Sequence, residues 1–349
     1  MHYKLCLVGF GNVGRALARL LVRKEAVLEK DHGITFSFTG IATGRHGFAA
    51  DPDGLDIQTA LALFESGRSI SPLSGAGIHA RDTLSVIRES RADVLFENSP
   101  VNHETGQPGI EHLRSALEAG MHAITANKGT VVHGYRSLTE LANSRGRKFY
   151  FEATVLGGSP VFSVFRECMP GADLQSFRGV LNSTTNIILT RMEKGETFDQ
   201  AVKFCQDIGV AETDPSADVD GWDAAIKVAA LVSVLMDQPF TPQEVQRQGI
   251  RGITPDMITA AKAAGQRYKL VCSAKRAGPH IKATVLPELV CISDPLYGME
   301  DSTTGVAFRT DVLGDYSIVE SERPDMVAGP EPTAYGLFAD FVNAVQGER

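Results

Sequence analysis

Gly9-Phe10-Gly11-Asn12-Val13-Gly14 follows an apolar, β-prone run and opens a stretch that is apolar at helical spacing, Val13, Leu17, Leu20 and Leu21. A strand, a glycine-rich turn and a helix in that order can cradle a dinucleotide. The glycines let the backbone turn and approach a pyrophosphate, and the helix N-terminus meets its charge. A glycine-rich turn without a ligand is the plainer reading, and the strand before and helix after favour the cradle. The choice of dinucleotide falls at the end of the second strand, where NAD sites place an acid for the ribose hydroxyls. Ile41-Ala42-Thr43-Gly44-Arg45-His46 offers no acid there, while Arg45 is a partner for a 2′-phosphate. NADP is therefore expected, with NAD the alternative if Arg45 is only a solvated loop residue.

Two later strand ends also present polar groups. Asn98-Ser99-Pro100 follows VLFE, and Ala126-Asn127-Lys128-Gly129 follows HAIT; doubly wound sheets bind ligands beyond such carboxyl ends. Lys128 is the only charge in its segment, either a nicotinamide-side lysine or an exposed loop lysine. Further on, residues 224–236, AAIKVAALVSVLM, contain a single charge, Lys227, and are apolar all round, as a buried helix is. Asp223 lies one turn before Lys227, and Glu212, Asp214, Asp218 and Asp220 crowd the approach. A lysine in such a helix needs a partner or a role. Either Asp218 or Asp220 caps the helix and Lys227 makes a structural ion pair, or the acids hold a substrate ammonium and the lysine moves a proton.

The elements that must position these groups alternate. Strand-like 4–10 leads into helix-like 13–28; strand-like 34–42 leads through a Gly/Asp/Pro-rich loop, 43–56, into another helix-like segment. Short apolar strands at 93–97 and 122–125 flank a helix-like segment, 109–119. Repeated β-α-β units imply a parallel sheet covered on both faces. After about Phe149 the pattern changes to strand-like 150–155, a glycine turn and helix, strand-like 177–181 and longer helical stretches. From about Met326 a Gly/Pro/Thr-rich turn precedes a helical run, 333–345, expected to return to the first domain. The expected domains are 1–150 with about 326–349 packing back, and 151–325.

Composition limits the alternatives. With 349 residues, 43% hydrophobic and 22% charged, the chain is long enough for two self-sufficient domains. Lys and Arg total 34 against 42 Asp and Glu, a net charge of −8 with no compensating basic block, so no nucleic-acid partner is expected. The five cysteines are scattered and never spaced C-x-x-C, which indicates neither a disulfide framework nor a cysteine zinc site. A reducing, cytoplasmic location follows as the expectation. No export signal and no apolar run of the roughly 18 residues needed for a membrane span is read.

GFGNVG from Gly9, TANKG from Thr125, EATV-x-GG from Glu152, LNSTTNIIL from Leu181 and AETDPSADVDGWDAAIK over 211–227 run in order along nearly the whole chain. Together they resemble homoserine dehydrogenase. The resemblance implies an α/β protein: a Rossmann-type doubly wound parallel sheet and a second α+β domain for substrate binding and dimerisation. It also implies NAD(P)-dependent interconversion of L-homoserine and L-aspartate-4-semialdehyde by a homodimer. Carried onto this chain, Gly9, Phe10, Gly11, Asn12, Val13 and Gly14 would meet the pyrophosphate, with Asn98, Ser99 and Lys128 at the nicotinamide end. Glu212 and Asp223 would bind the substrate's amino group and Thr184 would help to hold it. Lys227 would be the proton donor and Lys128 the second active-site lysine. Glu152, Val155, Gly157 and Ser159 resemble a sodium site of one carboxylate and several carbonyls, and Gly329 the turn that closes on the cofactor.

The sequence departs from the family where Ser183 replaces a frequent Gly and Val210 a frequent aromatic. Many members also carry a C-terminal regulatory ACT domain, whereas this sequence stops at Arg349; the short form, without threonine feedback through that domain, is expected. Aspartate-semialdehyde dehydrogenase would need a nucleophilic Cys near a His, and Cys168, Cys205, Cys272 and Cys291 lie in no such motif. A catalytically silent nucleotide sensor would have no need of a charged lysine in a buried helix.

Overall fold

A computed structural model describes residues 1–321 and 329–346. The chain forms two compact units: Met1–Gly158 with Pro330–Arg349, and Ser159–Gly329. The boundary expected near Met326 lies outside the described residues.

The first unit is built on a six-stranded sheet: β1 (His2–Val8), β2 (Thr35–Ala42), β3 (Phe48–Ala50), β4 (Val94–Glu97), β5 (His122–Thr125) and β6 (Phe149–Tyr150), in the order β3-β2-β1-β4-β5-β6. Pairing is parallel throughout except for β3, which runs antiparallel to β2. The doubly wound order reverses between β1 and β4, so a crevice opens at their carboxyl ends. Strand β3 corrects the reading of 43–56 as loop. Three residues are too few to show a period of two, and what holds them is pairing of Ala49 and Ala50, both fully buried, with Ile41 and Gly40. The expected strand 150–155 is also corrected: the chain leaves the ladder at Phe151, and Glu152 N donates to Asp340 Oδ2 at 2.7 Å instead.

Helices α1 (Asn12–Val27), α2 (Ile57–Glu65), α3 (Thr83–Glu89), α4 (Gly109–Glu118) and α5 (Lys128–Ser144) connect the strands. Side chains cap α2, α3 and α5: Asp56 accepts from Gln58 N and Thr59 N, Asp82 from Ser85 N, and Asn127 from Gly129 N. Helix α1 starts after Gly11 with no side-chain cap, which leaves backbone donors open at its N-terminus. A closing helix, Glu331–Gln346, completes the core of this unit by burying Leu337, Phe341 and Val345 among Leu5, Leu7, Leu17 and Phe96. Phe341 meets Tyr3 and Phe96 edge-on, with ring centroids 6.1 and 6.0 Å away.

The second unit holds α6 (Val161–Ser163), β7 (Leu174–Val180), α7 (Ser183–Glu193), α8 (Phe198–Asp207), α9 (Ser216–Val219), α10 (Trp222–Leu235), β8 (Gln246–Arg247), α11 (Pro255–Ala263), β9 (Gln266–Ala277), β10 (His280–Cys291), β11 (Thr304–Thr310) and β12 (Gly314–Glu320). Its sheet runs β12-β11-β7-β9-β10-β8 and is antiparallel apart from β8 beside β10. The longer helical stretches expected after 177–181 are α7, α8, α10 and α11, and the hairpins β9–β10 and β11–β12 that follow them are not part of that expectation. In β9 the alternation is masked because Lys269, Leu270, Val271 and Cys272 are all buried in succession. Helix α10 is buried from Ala224 to Ser233 except at Lys227, and it packs on β9 and β10. Among the described residues no helix is long and apolar enough to cross a membrane.

Candidate functional site

The cradle in the first unit is shaped by close backbone approach. Gly9 has φ +87°, and a Cβ there would stand 2.3 Å from Asn98 O; a Cβ on Gly14 would stand 2.2 Å from Gly9 O. Only glycine lets β1, β4 and α1 converge in this way. Gly11 differs, since a Cβ on it would meet nothing within 4 Å. Its open side faces whatever the turn binds. The neighbouring side chains are already occupied: Phe10 is buried edge-on to Phe64, Val13 packs on the core and Asn12 Oδ1 accepts from Arg15 Nη2 at 2.8 Å. What remains for a pyrophosphate is the backbone.

At the end of β4, Asn98 has buried Oδ1 and Nδ2 atoms with no hydrogen-bond partner. An orphaned buried amide requires an explanation, and a carboxamide-bearing cofactor supplies one. Ser99 turns its N–H and hydroxyl to Glu97 Oε1. Lys128 is half-buried as the first residue of α5, directly after its cap Asn127. Arg45 is exposed in the turn after β2; in the same turn the His46 ring lies 4.3 Å from Phe64, over which Arg15 Cζ also sits at 4.7 Å. These residues fit a nicotinamide dinucleotide.

Glu152 and Val155 are buried in this unit, and Gly157 adopts φ +52° with its carbonyl against Gly336, where a Cβ would stand 2.5 Å away. Ser159 belongs to the second unit, where its hydroxyl donates to Glu320 Oε2 at 2.8 Å. Gly329, the last residue of that unit, is exposed.

In the second unit, the start of α7 and the start of α10 build one polar cluster. Lys227 Nζ donates to Leu181 O at 2.6 Å and pairs with Asp223 Oδ2 at 2.9 Å. Asn182 caps α7 by accepting from Thr185 N, and its Nδ2 donates to both Asp218 Oδ1 at 2.7 Å and Asp223 Oδ2 at 3.0 Å. Burial, then the charge of Asp223 alongside, holds the Asp218 carboxyl above the usual carboxylate range, against the pull of hydrogen bonds from Asn182 and Thr184. Neither Asp218 nor Asp220 caps α10. Its N-cap is Gly221, at φ +80° and without a side-chain bond, while Asp220 is held by Arg251 Nε at 2.6 Å. Thr184 is buried beside Asp218, whereas Glu212 is exposed on the loop after α8, with its carbonyl accepting from Gln206 Nε2.

Asn182, which the sequence reading gives no role, is thus part of the cluster, together with Asp218, one of the acids read there as capping the helix or holding a substrate ammonium. The available signal was Asn182 directly before a helix, with Asp218 one helical turn and a glycine ahead of Asp223.

A lysine has three donor positions, and two on Lys227 are committed to Leu181 and Asp223, leaving the third for a substrate oxygen. A cluster that joins a proton-carrying lysine to a pair of carboxylates suits an amino-bearing alcohol or aldehyde. Taken with a doubly wound nucleotide unit, it defines a dinucleotide-dependent dehydrogenase.

Two family models match, "Homoserine dehydrogenase, NAD binding domain" over residues 9–152 and "Homoserine dehydrogenase" over 160–342. An NAD(+)-dependent homoserine dehydrogenase of Pseudomonas canavaninivorans is 34% identical over 99% of this chain and 97% of its own length. The Methanocaldococcus jannaschii homoserine dehydrogenase is 34% identical over 97% of each chain. Among solved structures, a hyperthermophilic archaeal homoserine dehydrogenase in complex with NADPH aligns with a TM-score of 0.81 at 28% identity, covering 99% of this chain and 98% of that one. The chain belongs to the homoserine dehydrogenase family.

Proposed function

We propose that the protein interconverts L-homoserine and L-aspartate-4-semialdehyde, a step of threonine, methionine and isoleucine biosynthesis, using a nicotinamide dinucleotide. The observation that carries this reading is the Lys227–Asp223–Asn182–Asp218 cluster, which joins two of the motifs on which the family resemblance rests. When bound, the nicotinamide supplies or accepts the hydride. Asp223 and Asp218, with Glu212 from the exposed loop, receive the substrate ammonium, and Thr184 helps to hold the substrate. Lys227 gives a proton to the oxygen that becomes the hydroxyl, or takes it in the reverse direction. Asn98, Ser99 and Lys128 serve the nicotinamide end, and the backbone of residues 9–14 serves the pyrophosphate.

NADP is the preferred dinucleotide in this reading, supported by Arg45 and the absence of an acid after β2. The Pseudomonas relative named as NAD(+)-dependent makes direct comparison of the two cofactors necessary. Sodium, held by Glu152 and the carbonyls of Val155 and Gly157, with Ser159 as a further ligand, suits the chemistry of that donor set. A homodimer belongs to the same reading, as the family resemblance implies. A reducing cytoplasm is supported by five free cysteines.

Purified protein mixed with L-homoserine and either NADP or NAD, followed by absorbance of the reduced nicotinamide, tests the reading. Reduction that depends on homoserine supports it, and the faster cofactor identifies the preference. Cofactor binding without any reduction would overturn it in favour of a nucleotide sensor.

A further inference from the structure

Glu97, the last residue of β4, has no exposed surface. A buried carboxyl group needs donors on both oxygens. Its Oε1 accepts the Ser99 N–H at 3.1 Å and the Ser99 hydroxyl; the Thr125 hydroxyl shares its one proton between Oε2 at 3.2 Å and the Glu97 backbone carbonyl at 3.0 Å. Thr125 Oγ1 accepts from Asn127 N at 2.9 Å, and Asn127 Nδ2 donates to Ser99 O at 3.3 Å. The bonds close a ring: Glu97, Ser99, Asn127, Thr125 and back to Glu97. The first turn of α4 shuts over it, since a Cβ on Gly109 would stand 3.1 Å from Glu97 Oε2, and buried His112 Nδ1 lies 3.5 Å from Oε1.

The ring ties the carboxyl end of β4 to that of β5. Between two of its members sits Asn98, with the orphaned amide; directly after a third comes Lys128. We propose that Glu97 is a positioning residue for the nicotinamide end of the cofactor: it touches no ligand, but fixes the Asn98 amide and the first turn of α5 in the orientation that receives the ring. The proposal rests on the dinucleotide reading of this unit. An acceptor is required because the Ser99 N–H and hydroxyl converge on Oε1, and a methionine of similar length would offer them no oxygen and leave the Ser99 N–H unpaired.

The test separates the two ends of the cofactor. Calorimetry measures binding of NADPH against 2′-phospho-ADP-ribose, and of NADH against ADP-ribose, the second of each pair lacking the nicotinamide. For Glu97→Met the dissociation constant of the reduced dinucleotide should rise about tenfold while that of the fragment changes less than about twofold. In turnover the KM for the dinucleotide should rise with the KM for homoserine unchanged. Thr125→Val, which removes the hydroxyl that links Glu97 to Asn127 N and keeps Glu97, should act in the same direction and serves as the test where Glu97→Met does not fold. Equal weakening of dinucleotide and fragment, or no weakening of either, overturns the proposal. Wild-type protein that binds no member of either pair overturns the dinucleotide reading itself.

Discussion

Lys227 is held from two sides, by Leu181 O and by Asp223, so its Nζ is fixed rather than mobile. Lys227→Ala should lower kcat in both directions by about 10²–10⁴-fold, with cofactor affinity measured by calorimetry nearly unchanged. Near-normal turnover would remove Lys227 from the mechanism. Asp218 presents the opposite balance, a group whose function costs stability. Its folded carboxyl keeps its proton to higher pH than in the unfolded chain, so across that interval the native state binds more protons and stability falls as pH rises. Above its folded pKa the whole cost is present. Asp218→Asn keeps an oxygen for Asn182 and removes the charge beside Asp223; it should raise the melting temperature by about 1–3 °C at pH 7. The gain should shrink on acidification, and the KM for homoserine should rise. Arg45→Ala should raise the KM for NADP about tenfold and leave that for NAD within about twofold; equal effects on both would make Arg45 an ordinary surface residue.

Within the cradle, three glycines of one motif have different duties. Gly14→Ala drives a methyl into Gly9 O and should cost about 1–3 kcal/mol in denaturant unfolding. Gly11→Ala meets no protein atom, so it should leave stability unchanged and weaken dinucleotide binding alone. A Gly11→Ala protein that binds normally would show that the ligand does not approach there. This motif was legible in the sequence because its parts are local: an apolar strand, a turn, a helical period. So were β5, α4 and the buried stretch of α10 after Asp223, whose single charge among apolar residues announced a paired lysine. The rest was not local. β3 is three residues held by a partner strand, β9 hides its alternation under four buried residues in succession, and Asn182 meets Asp218 and Asp223 from 36 and 41 positions away. The ring around Glu97 joins strand ends 28 residues apart, between Glu97 and Thr125. No spacing rule marks such pairs before the sheet order is known.

Across the whole molecule, the nucleotide-binding unit is discontinuous: it stops at Gly158 and resumes at Pro330. Its closing helix supplies core, not trim, since Phe341 is fully buried against Tyr3 and Phe96. Phe341→Ala should therefore cost about 3–5 kcal/mol and weaken cofactor binding with it, although the residue lies more than 300 positions from Gly11 in the chain. Calorimetric unfolding with and without dinucleotide would check both effects; a loss confined to the second unit would contradict the assignment of this helix. The same discontinuity sets the order of events on the ribosome. Strands β1–β6 emerge early, but the helix that seals them is translated only after the entire intervening unit, a delay of roughly ten to thirty seconds at ordinary elongation speeds. Throughout that time the nascent chain carries an open apolar face around Tyr3 and Phe96, a surface that chaperones or a neighbouring nascent chain can occupy first.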